Sequence, residues 1–383
     1  MSVTAAAGFE AAGVSAGLKA SGGLDFALVV NRGPLQSAAA VFTSNRAKAN
    51  PILWSEQVIV DGAVAAIALN SGGANCFTGP QGFQTTHATA EAVGESIGVS
   101  AGDVLICSTG LIGEQLDRAK VLEGVIDATA HLSTDGGLDA ADAIMTTDSV
   151  RKTATVAEGG WILGGMAKGA GMLAPGLATM LVVLTTDAAL DASELDAALR
   201  AATRVSFDRL DSDGCMSTND QVSLLASGAS GVRPDLDQFT AALRAICTDL
   251  AKQLQADAEG ASHTIDIEVV GALTEEDAVE VGRSVARNNL FKTAVFGNDP
   301  NWGRVLAAIG TTSAAFDPYA VDVSMNGIRV CSEGQPDQPR DLVDLSGRQT
   351  HVLIDLKAGS ASATVFSNDL TTDYVHENSA YSS

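Results

Sequence analysis

The sequence predicts an α/β protein, and three observations carry that expectation. Short apolar runs of strand length alternate with longer stretches whose apolar residues recur at helical spacing. The segment Thr179 to Thr185 is a continuous apolar run of the length expected for a strand buried on both faces. The turn signals Asn31-Arg-Gly-Pro34 and Asn326-Gly327 each separate two such runs, as a change of direction between strands requires. A chain of 383 residues exceeds what a single hydrophobic core usually supports, so two or three packed regions are expected.

In chain order, Leu24 to Val30 and Ala38 to Phe42 read as strands, followed by buried-strand candidates at Ala63 to Leu69 and Val104 to Cys107. Gly82 to Ile97 carries helical spacing and stops before Gly98, the residue type that best closes a helix. Lys120 to Leu132 and Leu138 to Met145 read as further helices. Thr153 to Val156 and Trp161 to Gly165 suggest a hairpin running into a glycine-rich segment, Gly164 to Gly171, before the apolar run at Thr179. Two amphipathic helices follow, Ala192 to Phe207 and Leu236 to Ala258. The last third predicts a strand at Thr264 to Val270 and a helix at Glu275 to Asn288 with Thr274 as its N-cap. It then predicts a hairpin of Val321 to Met325 with Ile328 to Cys331, and a pairing of Val352 to Leu356 with Ala363 to Phe366.

Composition excludes several functions. There are 46 acidic against 23 basic side chains and a net charge of −23, which repels a phosphate backbone, so nucleic acid is not an expected partner. No apolar stretch approaches the roughly 20 residues of a membrane helix, and the first basic residue is Lys19, so neither a membrane span nor a signal peptide is expected and a cytoplasmic location is. The five cysteines are scattered with no CxxC spacing, and no two histidines lie three or four residues apart, so no metal site is expected. Asp208, Asp211 and Asp213 lack the Gly and Glu positions of a calcium loop and read as a solvated helix end.

The most unusual segment runs from Met166 to Leu181. Gly169-x-Gly171-x-x-Ala174 fits a dinucleotide fingerprint in letters, but Pro175 and Gly176 interrupt any helix there, so no helix N-terminus is available for a pyrophosphate. Lys168 is followed by Gly169 rather than Ser or Thr, so the Walker pattern fails as well. A loop that merely lets the chain turn remains open. So does a chemical alternative, in which the Thr179 hydroxyl attacks its own preceding carbonyl and water hydrolyses the resulting ester. The new chain would begin with Thr179, whose freed α-amine, with a reference pKa of about 7.7–8.0, would serve as the general base for its own hydroxyl.

Lys168-Gly-Ala-Gly-Met-Leu-Ala-Pro-x-x-Ala-Thr-Met-Leu181 resembles the self-cleavage segment of the ornithine acetyltransferase (glutamate N-acetyltransferase) family. The likeness spans the chain through Asn70-Ser-Gly-Gly-Ala-Asn75, Cys107-Ser-Thr-Gly-Leu-Ile-Gly-Glu114, Met145-Thr-Thr-Asp148, Ser217-Thr-Asn-Asp220, Gln255-Ala-Asp-Ala-Glu-Gly260, the segment Gly297 to Arg304, and Glu377 to Ser383. The resemblance implies a layered α/β/β/α sandwich of N-terminal-nucleophile type with a smaller α+β region at about 264–383. It implies cleavage between Ala178 and Thr179 into an α chain, 1–178, and a β chain, 179–383, with the catalytic site at the junction of both chains. Thr179 would carry acetyl from N-acetylornithine to glutamate in a ping-pong cycle, with Thr109 and Gly110 as oxyanion hole. Thr146, Lys168, Thr179, Glu259, Asn378 and Ser383 match the substrate-binding positions. Lys168 suits a substrate carboxylate, Glu259 the ornithine ammonium, and the match at Asn378 and Ser383 implies an ordered C-terminal tail. No cofactor is implied, acetyl-CoA is a conceivable co-substrate, and the two chains are expected to associate as a heterotetramer or larger assembly. His263 stands where relatives would carry Lys. Ser217 to Asp220 and Asn298 to Gly303 read as structural braces.

Two other functions compete. A self-processed aminopeptidase or amidase would use the same threonine and oxyanion hole but pass the acyl group to water, and Lys168 and Glu259 argue against it by selecting an amino-acid acceptor. A non-catalytic small-molecule-binding protein would keep Gly164 to Gly176 as a loop and leave the chain whole.

Overall fold

The computed structural model describes residues 2–174 and 180–380. They divide into two units: residues 2–170, 180–208 and 216–254 form the first, and residues 171–174, 209–215 and 255–380 the second.

The first unit runs β1 (Phe9–Val14), β2 (Phe26–Asn31), β3 (Ser37–Phe42), α1 (Asn50–Val58), β4 (Ala66–Asn70), α2 (Gly79–Ile97), β5 (Val104–Ser108), α3 (Arg118–Ala130), α4 (Gly137–Ala143), β6 (Lys152–Glu158), β7 (Trp161–Lys168), β8 (Leu181–Thr186), α5 (Ala192–Thr203), β9 (Gln221–Ala226) and α6 (Leu236–Ala256). One sheet has the order β1-β2-β4-β5 and the other β3-β9-β8-β7-β6. Period-two alternation gives the first sheet two apolar faces. Leu28, Val30, Ala66, Ala68, Val104 and Ile106 pack with Val93 of α2 and with Val121 and Val125 of α3. The intervening Val29, Ile67, Leu69 and Leu105 share a core with Met166, Leu181, Val183 and Leu225 of the second sheet. Phe239 of α6 meets the Trp161 ring at a centroid distance of 5.3 Å. The layers are therefore α/β/β/α, the arrangement the resemblance implies. Every residue of β8 is buried, as its unbroken apolar run requires.

The second unit adds β10 (Thr264–Ala272), α7 (Glu275–Ala286), α8 (Asn289–Phe296), α9 (Trp302–Ile309), β11 (Asp322–Met325), β12 (Ile328–Ser332), β13 (Gln335–Pro336), β14 (Gln349–Asp355), β15 (Ala361–Asn368) and α10 (Thr372–Ala380). Its sheet has the order β13-β12-β11-β14-β10-β15. Ile265, Ile267 and Val269 share a core with Val281 and Val285 of α7. Thr274 caps α7 by accepting from the Asp277 N–H at 3.0 Å.

Three sequence expectations are corrected. β14 and β15 do not pair with each other, because β10 lies between them, parallel to one and antiparallel to the other. The residues between the two strands easily span two strand spacings of about 4.8 Å each, so the connection's length could not reveal the intruder. The strand expected at Trp161 to Gly165 is present and runs on to Lys168, so the glycine-rich stretch is no loop up to that residue. Gly164 and Gly165 sit inside β7, where a Cβ would stand 2.4 Å from the Ser2 carbonyl and 2.9 Å from Leu184 Cδ2 respectively. The aspartates after α5 are not a solvated end either, since Asp211 is buried and pairs with Arg287 at 2.7 Å. Burial pushes its carboxyl up, against the pull of Arg287, to about 6.

The elements absent from the sequence expectation are β1, α1, β9, α8, α9, β13 and α10. β1 is built largely of Ala and Gly, which carry no strand preference. α8 and α9 are eight residues each, start at the caps Asn288 and Asn301, and flank the Asn298-Asp-Pro300 turn, so their caps read as loop residues.

Candidate active site

Lys168 ends β7 with its side chain inward, 1% exposed, and its Nζ donates to Thr109 Oγ1 at 3.3 Å. Thr109 is itself buried, one residue beyond the end of β5. Two residues 59 apart in sequence thus meet at the carboxyl ends of β7 and β5. A buried ammonium requires compensating negative charge, and Asp148 supplies it. Asp148 Oδ1 accepts from Lys152 Nζ at 2.6 Å and from the Gly169 N–H at 2.7 Å, while Oδ2 accepts from the Thr146 N–H at 3.0 Å. The side chains of Lys152 and Asp148 are both fully buried. Burial pulls the Asp148 carboxyl upward, but the charges of Lys168 and Lys152 and the hydrogen bonds from Lys152 and Gly169 outweigh it, leaving the carboxyl at about 2. Through this one carboxylate Thr146 and Gly169 are held to the same network.

Gly110 follows Thr109 with φ of +130°, a conformation that side chains rarely adopt. A Cβ there would stand 2.7 Å from the Gly73 nitrogen. Among the described residues the Gly110 N–H meets no acceptor. The loop is held from outside: Thr109 N–H donates to Asn70 O and Gly73 N–H to Thr109 O, both at 2.9 Å. Asn219 Nδ2 donates to Ala74 O at 2.6 Å and Ser108 O at 2.8 Å. The motifs at residues 70–75, 107–114 and 217–220, far apart in sequence, therefore build one brace around Thr109 and Gly110, which carry a hydroxyl and a backbone N–H.

Asp220, next to that brace, is fully buried, and its Oδ1 accepts the Met180 N–H at 3.1 Å. Burial raises its carboxyl well above the ordinary range, against the Met180 and Ser217 hydrogen bonds and the charge of Lys168. Asp148 and Lys152 are structurally central residues that sequence reasoning left without a role, and Asp220 it read only as part of a brace. Their signal was present only as membership in quoted motifs, or, for Lys152, not at all.

In the second unit Asn378 Nδ2, on α10, donates to Glu259 Oε2 at 2.9 Å. The same carboxylate closes on Gly171, where a Cβ would stand 2.3 Å from Glu259 Oε2. His263 bonds through Nδ1 to Asp369 Oδ2 at 2.8 Å and through Nε2 to Leu345 O at 2.9 Å, which makes it a brace of this unit. Ala178, Thr179 and Ser383 lie outside the described residues. Among the described residues no group of three or more His, Cys, Asp or Glu side chains is placed to hold a metal ion, and no helix is long and apolar enough to cross a membrane.

A layered α/β/β/α fold that brings a hydroxyl and a backbone N–H together near a buried lysine has the kinds of donor that acyl transfer uses. The ArgJ family profile matches residues 10–383. The chain is 64% identical over 383 residues to the arginine biosynthesis bifunctional protein ArgJ of Streptomyces avermitilis, covering all of both chains. It is 59% identical over 382 residues to that of Thermobifida fusca, again covering both completely. Among solved structures, the arginine biosynthesis bifunctional protein from Bacillus halodurans is 34% identical, with a TM-score of 0.50 over 52% of this chain and 98% of that one. An ornithine acetyltransferase from Mycobacterium tuberculosis, complexed with ornithine, is 54% identical over 45% of this chain and 94% of that one, with a TM-score of 0.45. The chain belongs to the ArgJ family, and so is an acyltransferase of arginine biosynthesis.

Proposed function

We propose that the chain cleaves itself between Ala178 and Thr179 and then transfers acetyl from N2-acetyl-L-ornithine to L-glutamate through an acetyl-Thr179 intermediate. The observation that carries this reading is the Thr109–Gly110 corner, with one buried hydroxyl held by Lys168 and one N–H that meets no acceptor among the described residues. In the first half-reaction the Thr179 hydroxyl attacks the acetyl carbonyl and gives its proton to the freed α-amine of Thr179. Negative charge builds on the carbonyl oxygen, where Thr109 and Gly110 donate to it. The C–N bond breaks, the amine passes the proton to the leaving nitrogen, and ornithine departs. In the second, the amine of glutamate attacks the acetyl ester by the same route in reverse and releases N-acetyl-L-glutamate and the free threonine.

Lys168, Thr146, Glu259, Asn378 and Ser383 are proposed to contact substrate, Glu259 through the ornithine ammonium. The solved chain from Bacillus halodurans, matched over 98% by 52% of this one, has the half-length proportion that a separate α or β chain would show. We further propose association of α and β chains as a heterotetramer or larger assembly, and a cytoplasmic location. Acetyl-CoA is a possible second donor, which labelled acetyl-CoA incubated with glutamate would reveal.

Mass spectrometry of the purified protein tests the cleavage. Two fragments divided at Ala178/Thr179 are expected, and one intact chain for Thr179→Ala. A wild type that transfers acetyl while whole would refute the mechanism.

A further inference from the structure

The second unit holds the Glu259 carboxylate from two sides. On one, Asn378 Nδ2 of α10 donates to Oε2 at 2.9 Å. That helix is tied to the same turn by Thr371 Oγ1, which donates to Gly260 O at 2.6 Å. The other side is backbone. A Cβ at Gly171 would stand 2.3, 2.5 and 2.6 Å from Oε2, Cδ and Oε1 of Glu259. All three carboxyl atoms crowd one position, so whatever fixes residues 171–173 fixes a wall of the carboxylate's seat.

Residues 212 and 213 do the fixing. Leu173, fully buried, accepts through its carbonyl from the Ser212 N–H at 2.7 Å and the Asp213 N–H at 3.3 Å. The Asp213 carboxylate returns the contact by accepting backbone hydrogen bonds from Leu173 and Met172. It also accepts from the Cys215 N–H at 3.0 Å, across Gly214 at φ +73°. Met172 has φ +56°, a conformation that a residue with a side chain keeps only where its surroundings impose it. Burial raises the Asp213 carboxyl, against these backbone bonds and the charge of Lys292. The clamp is anchored in turn. Ser212 Oγ donates to Asn368 Oδ1 at 2.7 Å, the buried Lys292 donates through Nζ to Ser212 O, and the Asp211 N–H donates to Phe366 O at 2.7 Å. Asp213, in sequence one of three acids at a helix end, therefore joins β15 and α8 to the loop beneath Glu259.

We propose that Asp213 is a positioning residue for the ornithine-bearing substrate: by gripping Met172 and Leu173 it sets Gly171 against the Glu259 carboxylate and so aims Glu259 at the ornithine ammonium. The proposal rests on the reading that Glu259 receives that ammonium. Glutamate carries no side-chain ammonium, so loss of the clamp should act on one substrate far more than on the other.

The test uses the full-length chain with Asp213→Ala, Asp213→Asn, Glu259→Gln and the double variant Asp213→Ala/Glu259→Gln. KM and kcat are measured for N-acetylornithine and glutamate, and amide hydrogen exchange is measured at Met172 and Leu173. KM does not depend on the fraction of chain that has been cleaved. Asp213→Ala should raise KM for N-acetylornithine about tenfold, change kcat and KM for glutamate much less, and speed exchange at both amides about tenfold. Asp213→Asn keeps one acceptor oxygen and should show about a threefold rise, which carries the test if the alanine variant does not fold. The double variant should resemble Glu259→Gln within about twofold, because Asp213 acts through Glu259. Val281→Ala, which removes packing from the core of the same unit, should lower the melting temperature without this split between substrates. An unchanged KM for N-acetylornithine, an equal rise for both substrates, multiplied effects in the double variant, or the same split in Val281→Ala overturns the proposal. A Glu259→Gln enzyme with normal KM for N-acetylornithine would instead refute the reading of Glu259, and the exchange at Met172 and Leu173 would still decide the clamp.

Discussion

The Lys168 ammonium donates to the Thr109 hydroxyl at 3.3 Å, with both side chains buried. A hydroxyl that accepts from an ammonium keeps its own proton for donation to another acceptor, which is the part the proposed function gives Thr109. Lysine and threonine therefore act as one device. Lys168→Met and Thr109→Val should each lower kcat about 10²-fold, the usual effect of losing one oxyanion donor. The double variant should lose little more than either single one, because residues that work as a unit are not additive. Steady-state kinetics on the three variants checks this; multiplied effects would mean the two act separately.

Acid sensitivity should follow Asp148. Its folded carboxyl, at about 2, lies below the unfolded value of about 3.9, so its stabilising contribution is complete above pH 4 and is lost as pH falls toward 2. The difference corresponds to about 2–3 kcal/mol. Asp148→Asn should cost about 3–5 kcal/mol at neutral pH by removing the buried negative charge that Lys152 and Lys168 face, and should flatten the pH dependence between 4 and 2. Urea denaturation across that range measures both.

Asp220 should behave in the opposite sense. Its carboxyl is raised on folding, so the neutral acid is the favoured folded form, and stability falls as pH rises from the unfolded value toward the folded one. Asp220→Asn keeps an acceptor for the Met180 N–H and should be neutral or stabilising above pH 5. Asp220→Ala should cost about 1–3 kcal/mol by leaving that N–H unsatisfied. Melting curves of the two variants at pH 4 and pH 8 separate these outcomes.

Gly110→Ala should be severe. At φ +130° the new methyl would stand 2.7 Å from Gly73 N and 2.8 Å from Gly73 Cα, so the backbone of the brace must move. A fall in kcat of at least 10²-fold is expected with the two-chain cleavage pattern as a separate readout. Near-normal turnover would show that the Gly110 N–H is not the oxyanion donor.

A fifth expectation concerns Gly171→Ala, which would drive a methyl into the Glu259 carboxylate, 2.3 Å from Oε2. If Glu259 receives the ornithine ammonium, KM for N-acetylornithine should rise about tenfold and KM for glutamate much less.

Sequence alone determined the alternation of strands and helices, the buried run that became β8, the helix starts at Thr274 and the stop at Gly98, because each depends on residues close together in the chain. It also singled out Thr109, Gly110 and Lys168 by their motifs. Tertiary structure decided what those motifs do. Lys168 reads as a loop cation in the sequence; β7 extends to it and turns it onto Thr109. Asn219 and Asp220 read as structural braces and Asn70 only as part of a motif; what they brace appears in hydrogen bonds that reach across 3 to 145 positions to hold one corner. The insertion of β10 between β14 and β15 was equally hidden. Local spacing records the preference of a segment for helix or strand; which strand lies beside which, and which buried groups meet, depends on energies that exist only once distant segments have packed.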